Sequence, residues 1–348
     1  MSLGEEQRAA LQDLYGQMDP LHLAPLWESL SQLVRPTPRP AVDVHRWEYA
    51  QVRDYLMRAG QLISAEQAER RVLILENPAM RGQAAITSSL YAGLQLILPG
   101  EIAPCHRHSQ CALRFVMEGE GAYTSVDGEK AVMRPFDLVL TPNWQWHDHG
   151  NETDQPMIWL DGLDIPIVRL FDATFAEHYD GKVFPQTAQA GVSQAVYGRN
   201  LRPIAGSAAA QRPAGQPLFH YPYADWRDAL ARMAAMATID PHHAHTLEFQ
   251  NPADGGSIMP TISAQVTLVP AGYETRPRRQ SAGSVLVVVE GQGTARIAGQ
   301  DVALKPRDLV VVPAWAALEL QASSELVLFA YSDKAAQARL GLYREKSE

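Results

Sequence analysis

The sequence predicts a mainly β chain: two barrels of short strands related by an internal duplication, preceded by an N-terminal helical arm. Three observations carry that prediction. Apolar residues recur at helical spacing up to about residue 70 and at strand spacing after it. The apolar runs that follow are short and evenly punctuated by Gly, Pro, Asn and Asp, as in sandwiches and barrels. The segment 116–146, VMEGEGAYTSVDGEKAVMRPFDLVLTPNWQW, returns as 288–317, VVEGQGTARIAGQDVALKPRDLVVVPAWAA.

The arm comes first. Residues 5–18 place Ala9, Leu11, Leu14 and Tyr15 at helical spacing, Pro20 interrupts, and a second apolar segment covers 23–34. RPTPRP at 35–40 is a stiff extended connector. Helical patterns over 47–60 and 64–70 complete the arm, assigned to 1–70. Short β-like runs then cover 71–76, 91–98, 113–117, 121–126, 137–141 and 157–161, giving a first barrel over 71–184. Residues 185–240, rich in Pro, Gly and Ala, read as a linker with one helix over Tyr223–Met236. The second barrel takes 241–348. EGEG at 118–121 matches EGQG at 290–293, Pro135 and Asp137 match Pro306 and Asp308, and Trp144 matches Trp315. NPA at 77–79 matches NPA at 251–253, and the offset drifts only from 174 to 171 along the chain.

Composition narrows the class. With 46% hydrophobic residues in 348, the chain can bury a real core and is not a disordered segment. No apolar run approaches the roughly 20 residues of a membrane span. Glu5 and Glu6 stand where an export signal would be basic and then apolar, and two cysteines are too few for a disulfide scaffold. A cytoplasmic protein is expected. Lys and Arg number 30 against 39 Asp and Glu, a net charge of -9, the wrong sign for sequence-independent nucleic-acid binding.

The chemistry concentrates at Cys105, His106, Arg107 and His108, placed at the start of a strand. Residues i and i+2 of a strand share a face, so His106 and His108 aim at one point. His147 follows a second strand, in PNWQWHDHGN at 142–151. A pattern of His-x-His, then Pro-x4-His-x3-Asn, resembles the paired motifs of a cupin barrel, which bring three histidines onto one inner face. The glutamate usual in such metal sites is missing, with Ala112 or Leu113 in its place. Three neutral imidazoles leave the full charge of a divalent metal for outside ligands, and Zn, Cu, Fe and Ni all accept imidazole. A chelating dianion, carboxylate plus ionised ortho-hydroxyl, would fill two positions, with a third left for dioxygen. The second copy aligns Arg278, Gln280, Leu318 and Leu320 with His106, His108, His147 and His149, so one metal per chain is expected.

Other residues follow from strand parity. One unbroken strand from His106 would turn Gln110, Ala112 and Arg114 inward. A buried arginine needs a partner: an anionic substrate, or a structural ion pair with Asp161 or Glu118. His149 shares the face of His147, either as an acid/base group or as a second-layer orienter of a ligand. Cys105 and Cys111 read as packing thiols, and Trp144 and Trp146 as core. Arg276, Arg278 and Arg279 read as a solvated basic patch, and His242, His243 and His245 as a structural or surface cluster.

The runs PCHRHSQCALRFVMEGEGAYTSVDGEK and TPNWQWHDHGNETDQPMIWLDGLDIPIV resemble gentisate 1,2-dioxygenases, whose close relatives act on salicylate or 1-hydroxy-2-naphthoate. The resemblance runs from about residue 60 through the second barrel. It implies a bicupin, two jelly-roll barrels, with one Fe(II) per chain held by His106, His108 and His147. It implies oxygen-dependent ring cleavage of gentisate to maleylpyruvate. It carries substrate contacts onto Arg114 for the carboxylate, with Gln95, His149 and Asp161 nearby, and a site arginine onto Arg70, its neighbour Arg71 on the opposite face being the alternative; His149 or Asp161 is expected to assist proton transfer. Tyr91 stands where relatives carry Trp, which bears on the preferred ring. A homotetramer is implied, with the helical arm and second barrel in its contacts. The rivals are a cupin isomerase or decarboxylase using Zn or Mn, a non-enzymatic aromatic-acid-binding cupin, and a structural or storage bicupin.

Overall fold

The computed structural model describes residues 4–199 and 216–348. Residues 200–215, inside the expected linker, lie outside them. The N-terminal residues up to Arg39 form a unit of their own, built from the helices Glu5–Met18 and Leu26–Leu33. Within it Trp27 Nε1 donates to Tyr15 Oη at 2.7 Å, and Tyr15 Oη donates to Glu28 at 2.8 Å. Neither helix buries a residue, and Leu21, Leu26, Trp27, Leu33 and Val34 stand exposed.

Residues 40–348 form the second unit, in which strands dominate. Each barrel pairs a six-stranded sheet with a five-stranded one. The larger sheet of the first barrel runs His220–Tyr221, Leu138–Thr141, Ala112–Glu118, Met157–Leu163, Tyr91–Ile97, Val72–Ile74. The smaller runs Ala176–His178, Ile102–His108, His147–Gly150, Tyr123–Val126, Glu129–Val132. The second barrel repeats the order, its larger sheet starting at His45–Trp47 and its smaller one ending at Glu345–Ser347.

The turns repeat as faithfully as the strands. Gly119 and Gly291 both take positive φ, and a Cβ would fall 2.5 Å from Pro156 O and 1.9 Å from Glu325 O. That close approach requires glycine in both copies of the EGxG turn. Phe136 and Arg307 share φ near +66°, at 66° and 67°, and Trp144 and Trp315 share 62°.

The edge strands are exchanged. His45–Trp47 precedes the first barrel in sequence but pairs with Leu309–Val312 of the second. His220–Tyr221 precedes the second barrel but pairs with Leu138–Thr141 of the first. The helix after each edge strand clasps both barrels. Tyr49 N donates to Asp308 at 3.1 Å, while Tyr49 Oη and Arg53 donate to Glu118 at 3.0 and 2.6 Å. Reciprocally, Tyr223 N donates to Asp137 at 2.7 Å, and Tyr223 Oη and Arg227 donate to Glu290. Both glutamates are held below their ordinary pKa by these partners, against the opposing effect of burial. The duplication therefore begins upstream of Asn77, near His45, where sequence identity has fallen to scattered positions such as Tyr49/Tyr223 and Arg53/Arg227.

Strand alternation divides the apolar residues between two cores. Val285, Val287 and Phe329 join Leu113 and Phe115 in a core between the barrels, where Phe115 and Phe329 stack with centroids 4.0 Å apart. Their neighbours Leu286, Val288, Leu318, Leu320 and Ala330 fill the inside of the second barrel. We expect Phe329→Ala to destabilise the protein by about 3–5 kcal/mol, the usual cost of emptying a fully buried aromatic site. A denaturation midpoint that corresponds to a loss below about 1 kcal/mol would contradict a shared core.

Candidate metal centre and the wall opposite it

The strands Ile102–His108 and His147–Gly150 are neighbours in the smaller sheet, with His106 paired to His147. His106 and His108 sit at the end of their strand, not its start, because the chain bends over 109–111 before crossing to the other sheet. One ligand atom from each of His106, His108 and His147 lies within 4.8 Å of the others. The backbone orients the rings. Nδ1 of His108 is 2.9 Å from Gln110 O, and Nδ1 of His147 is 2.9 Å from Gln145 O. His106 Nδ1 is 3.3 Å from Pro104 O. In His108 and His147 a proton held on Nδ1 by these carbonyls leaves the Nε2 lone pair for a metal, whereas Nδ1 of His106 also meets the Arg70 guanidinium.

The donors fit a divalent first-row metal. Nε2 of His147 is buried with no hydrogen-bond partner, an arrangement that a metal ion would satisfy. Burial, followed by nearby cations, lowers the pKa of His106 to about 3 and of His108 to about 4, and holds His147 well below the ordinary value. Three neutral imidazoles are the donor set for Zn, Cu, Fe or Ni. Cys105 and Cys111 are buried, free and outside the group.

The larger sheet supplies the facing wall. Asp161 pairs with Arg114 on one side and Gly93 on the other, so the three share a face, and Trp159 pairs with Gln95 on that face. Arg114 thus arrives from the opposite sheet, not along one continuous strand from His106. Its Nε is 3.4 Å from Asp161 Oδ1, and its Nη1 donates to Thr141 Oγ1. Asp161 also accepts from Trp159 Nε1 at 3.0 Å. Burial, opposed by Arg114, raises the Asp161 pKa to about 6. Glu118 is engaged instead with Arg53.

Arg70 and Arg71 separate. Arg70 donates to Pro104 O at 2.7 Å, meets the His106 ring, and feels Arg114 and Asp161 electrostatically; burial lowers its pKa to about 10. Arg71 turns the other way and pairs with Glu101. Gln95 is buried. Tyr91 lies two residues from Gly93, whose missing side chain makes room: a Cβ there would fall 2.7 Å from the Tyr91 hydroxyl. Burial and Asp161 raise the Tyr91 pKa, so the phenol stays protonated. Tyr331 of the second barrel donates to Tyr91 O at 2.9 Å.

His149 is fully buried beside the triad, with Nδ1 2.9 Å from Thr124 Oγ1 and Nε2 without a partner. Thr124, Thr141, Trp159 and Tyr331 were not legible as site residues, since each acts by touching another side chain. Gly93 left one signal, a glycine in mid-strand where another group comes close. Trp144 is 37% exposed and packs, like Trp146, around Arg107 outside the sheet, so neither belongs to the core. Arg278 is buried at 8% exposure, not solvated, while Arg279 pairs with Glu348. The register Arg278 to Leu318 repeats that of His106 to His147, without ligands. Among the described residues the histidine triad is the only such metal-ligating group, and no helix is long and apolar enough to cross a membrane.

A cupin domain family matches residues 93–163. Gentisate 1,2 dioxygenase 1 of Aquipseudomonas alcaligenes is 48% identical over 96% of this chain and 95% of its own length. Salicylate 1,2-dioxygenase from Pseudoaminobacter salicylatoxidans, in a structure of its adducts with gentisate, superposes with a TM-score of 0.91 at 34% identity, covering 100% of this chain and 95% of that one. A tryptophan-to-tyrosine variant of that enzyme in complex with gentisate gives a TM-score of 0.91 at 35% identity, over 100% and 96% of the two chains. With relatives this similar spanning nearly its full length, and with the barrel geometry they share, the chain belongs to the gentisate 1,2-dioxygenase family of ring-cleaving cupin dioxygenases.

Proposed function

We propose that the chain cleaves gentisate with dioxygen to give maleylpyruvate, using one Fe(II) held by His106, His108 and His147. The observation that carries this reading is the neutral histidine triad facing Arg114 and Asp161 across one barrel. Both atoms of dioxygen enter the product, so the reaction balances without an external reductant. Iron at the triad would supply a Lewis-acidic, redox-active centre open to outside ligands.

The protein residues bind, orient and manage protons. Arg114 takes the substrate carboxylate, since its guanidinium offers parallel N–H donors and Nε has no hydrogen-bond partner. Arg70 adds a second positive charge on the same side. Asp161 accepts the proton that the 2-hydroxyl gives up on binding, for which a carboxylate near pKa 6 is well matched. His149, neutral and with an unpartnered Nε2, holds or accepts a hydrogen bond at the ring. Gln95 and the protonated Tyr91 phenol complete a wall with polar groups for the second ring hydroxyl. That hydroxyl favours gentisate; salicylate or 1-hydroxy-2-naphthoate as main substrate is the alternative. The exposed apolar residues of the N-terminal unit support contacts between copies, read as a homotetramer. The two free buried cysteines suit a reducing cytoplasm.

Oxygen uptake by the Fe(II)-loaded protein is the test. Uptake with gentisate well above that with salicylate or 1-hydroxy-2-naphthoate is expected. Metal binding with no uptake on any of the three would favour the non-enzymatic aromatic-acid-binding reading. Arg114→Met should raise KM for gentisate by about 10–100-fold, the cost of a charged hydrogen-bonded contact; an unchanged KM would remove Arg114 from carboxylate binding. Ionised Asp161 is the competent base, so kcat/KM should rise with pH through about 6 and lose that limb in Asp161→Asn. Retention of the limb in the variant would assign it to another group.

A further inference from the structure

Arg107 stands between His106 and His108 on their strand, and alternation turns it to the outer face. Its guanidinium carbon lies 4.7 Å from the ring centre of Trp144 and 4.5 Å from that of Trp146. Its Nε donates to Glu177 Oε2 at 2.8 Å. Glu177 belongs to the strand Ala176–His178, which pairs with the His-x-His strand on the side away from His147. Trp144 N donates to the His108 carbonyl at 2.7 Å. Trp146 immediately precedes His147 and is braced by Phe184 at 6.1 Å and Tyr179 at 5.4 Å.

One cation therefore ties together the strand carrying two ligands, the loop that delivers the third, and the neighbouring edge strand. The duplicated barrel supplies the comparison. There Arg279 and Trp315 keep the arginine and the first indole, with the same donation from Trp315 N to Gln280 O at 2.7 Å. The place of Trp146 holds Ala317, and Arg279 turns to Trp315 O at 3.1 Å and Glu348 at 2.8 Å. The second indole is present in the barrel that has the histidines and absent from the one that has lost them. A guanidinium held between two aromatic faces keeps its orientation better than a lone surface ion pair.

We propose that Arg107, clamped by Trp144 and Trp146, is a positioning residue that fixes the spacing of His106 and His108 against His147 for metal binding. It rests on the reading of these three histidines as ligands. Groups that orient ligands from outside commonly govern metal affinity by about 10–100-fold.

The experiment follows metal release from the loaded protein into a chelator, together with the visible spectrum of the Co(II)-substituted protein and its melting temperature. Arg107→Leu should release metal about 10–100-fold faster and shift the Co(II) spectrum. Arg107→Lys, with charge but no planar fork, should fall between it and the parent. Arg279→Leu removes the equivalent arginine from the ligand-free barrel and should match the parent in metal release. Trp146→Phe keeps an aromatic face and provides a milder variant should Arg107→Leu fold poorly; it should also speed release. Parental release rates and spectra in Arg107→Leu and Trp146→Phe would overturn the clamp. His147→Ala separates the two layers. If it loses metal while the Arg107 variants do not, only the clamp fails; if it retains metal, the ligand assignment fails and the clamp with it.

Discussion

The first barrel is organised around buried charge that does not cancel. Arg70 and Arg114 set two guanidinium groups beside the buried carboxylate of Asp161, with Glu69 and Asp148 also acting on Arg70, among four histidines that burial keeps neutral. Unpaired charge in a barrel interior is costly, and a divalent metal at the triad adds to the imbalance. On the proposed reading, a substrate carrying a carboxylate and an ionisable ortho-hydroxyl brings the compensating negative charge, both groups chelating the metal and the carboxylate also meeting Arg114. Burial first, and the nearby positive charge second, keep the histidines deprotonated and ready to bind metal.

The second barrel shows what the fold does without that charge. At the places of Arg114 and Asp161 it has Leu286 and Ala330, paired in the equivalent register. With Leu318 and Leu320 they close its interior as an ordinary aliphatic core. The stability of the site-bearing barrel is then shared. Exchanged edge strands, two reciprocal helices and the Phe115–Phe329 stack bind it to a neighbour whose interior is mostly aliphatic, with Arg278 buried at the place of His106. Tyr331 extends that support to the site, holding the Tyr91 backbone from across the interface.

Much of this was legible in the sequence because it depends on local spacing. The change of hydrophobic period, the repeated EGxG and PxD turns and the His-x-His pair all act over a few residues. Parity along one strand turns Arg114 inward, yet that strand breaks at 109–111; the inward direction holds because the next strand lies in the facing sheet. Alternation puts Arg70 and Arg71 on opposite faces, but only their partners, Pro104 and Glu101, tell which face lies toward the histidines. The exchange of edge strands left almost no trace. Strand pairing is made by backbone groups, and three-residue strands carry too few side chains to record their partner. Trp144 and Trp146 read as core because apolar content alone does not tell the outer face of a sheet from the inner one, and their partner Arg107 is distant in sequence.

One barrel carries the three histidines, and its twin has Arg278, Gln280, Leu318 and Leu320 in the corresponding places. The direct measurement is the iron content per chain after anaerobic loading and removal of loosely bound metal. The account predicts one tightly bound iron per chain. Two per chain would show that the second barrel binds metal despite Leu318 and Leu320, and none would show that the three histidines are not a metal site.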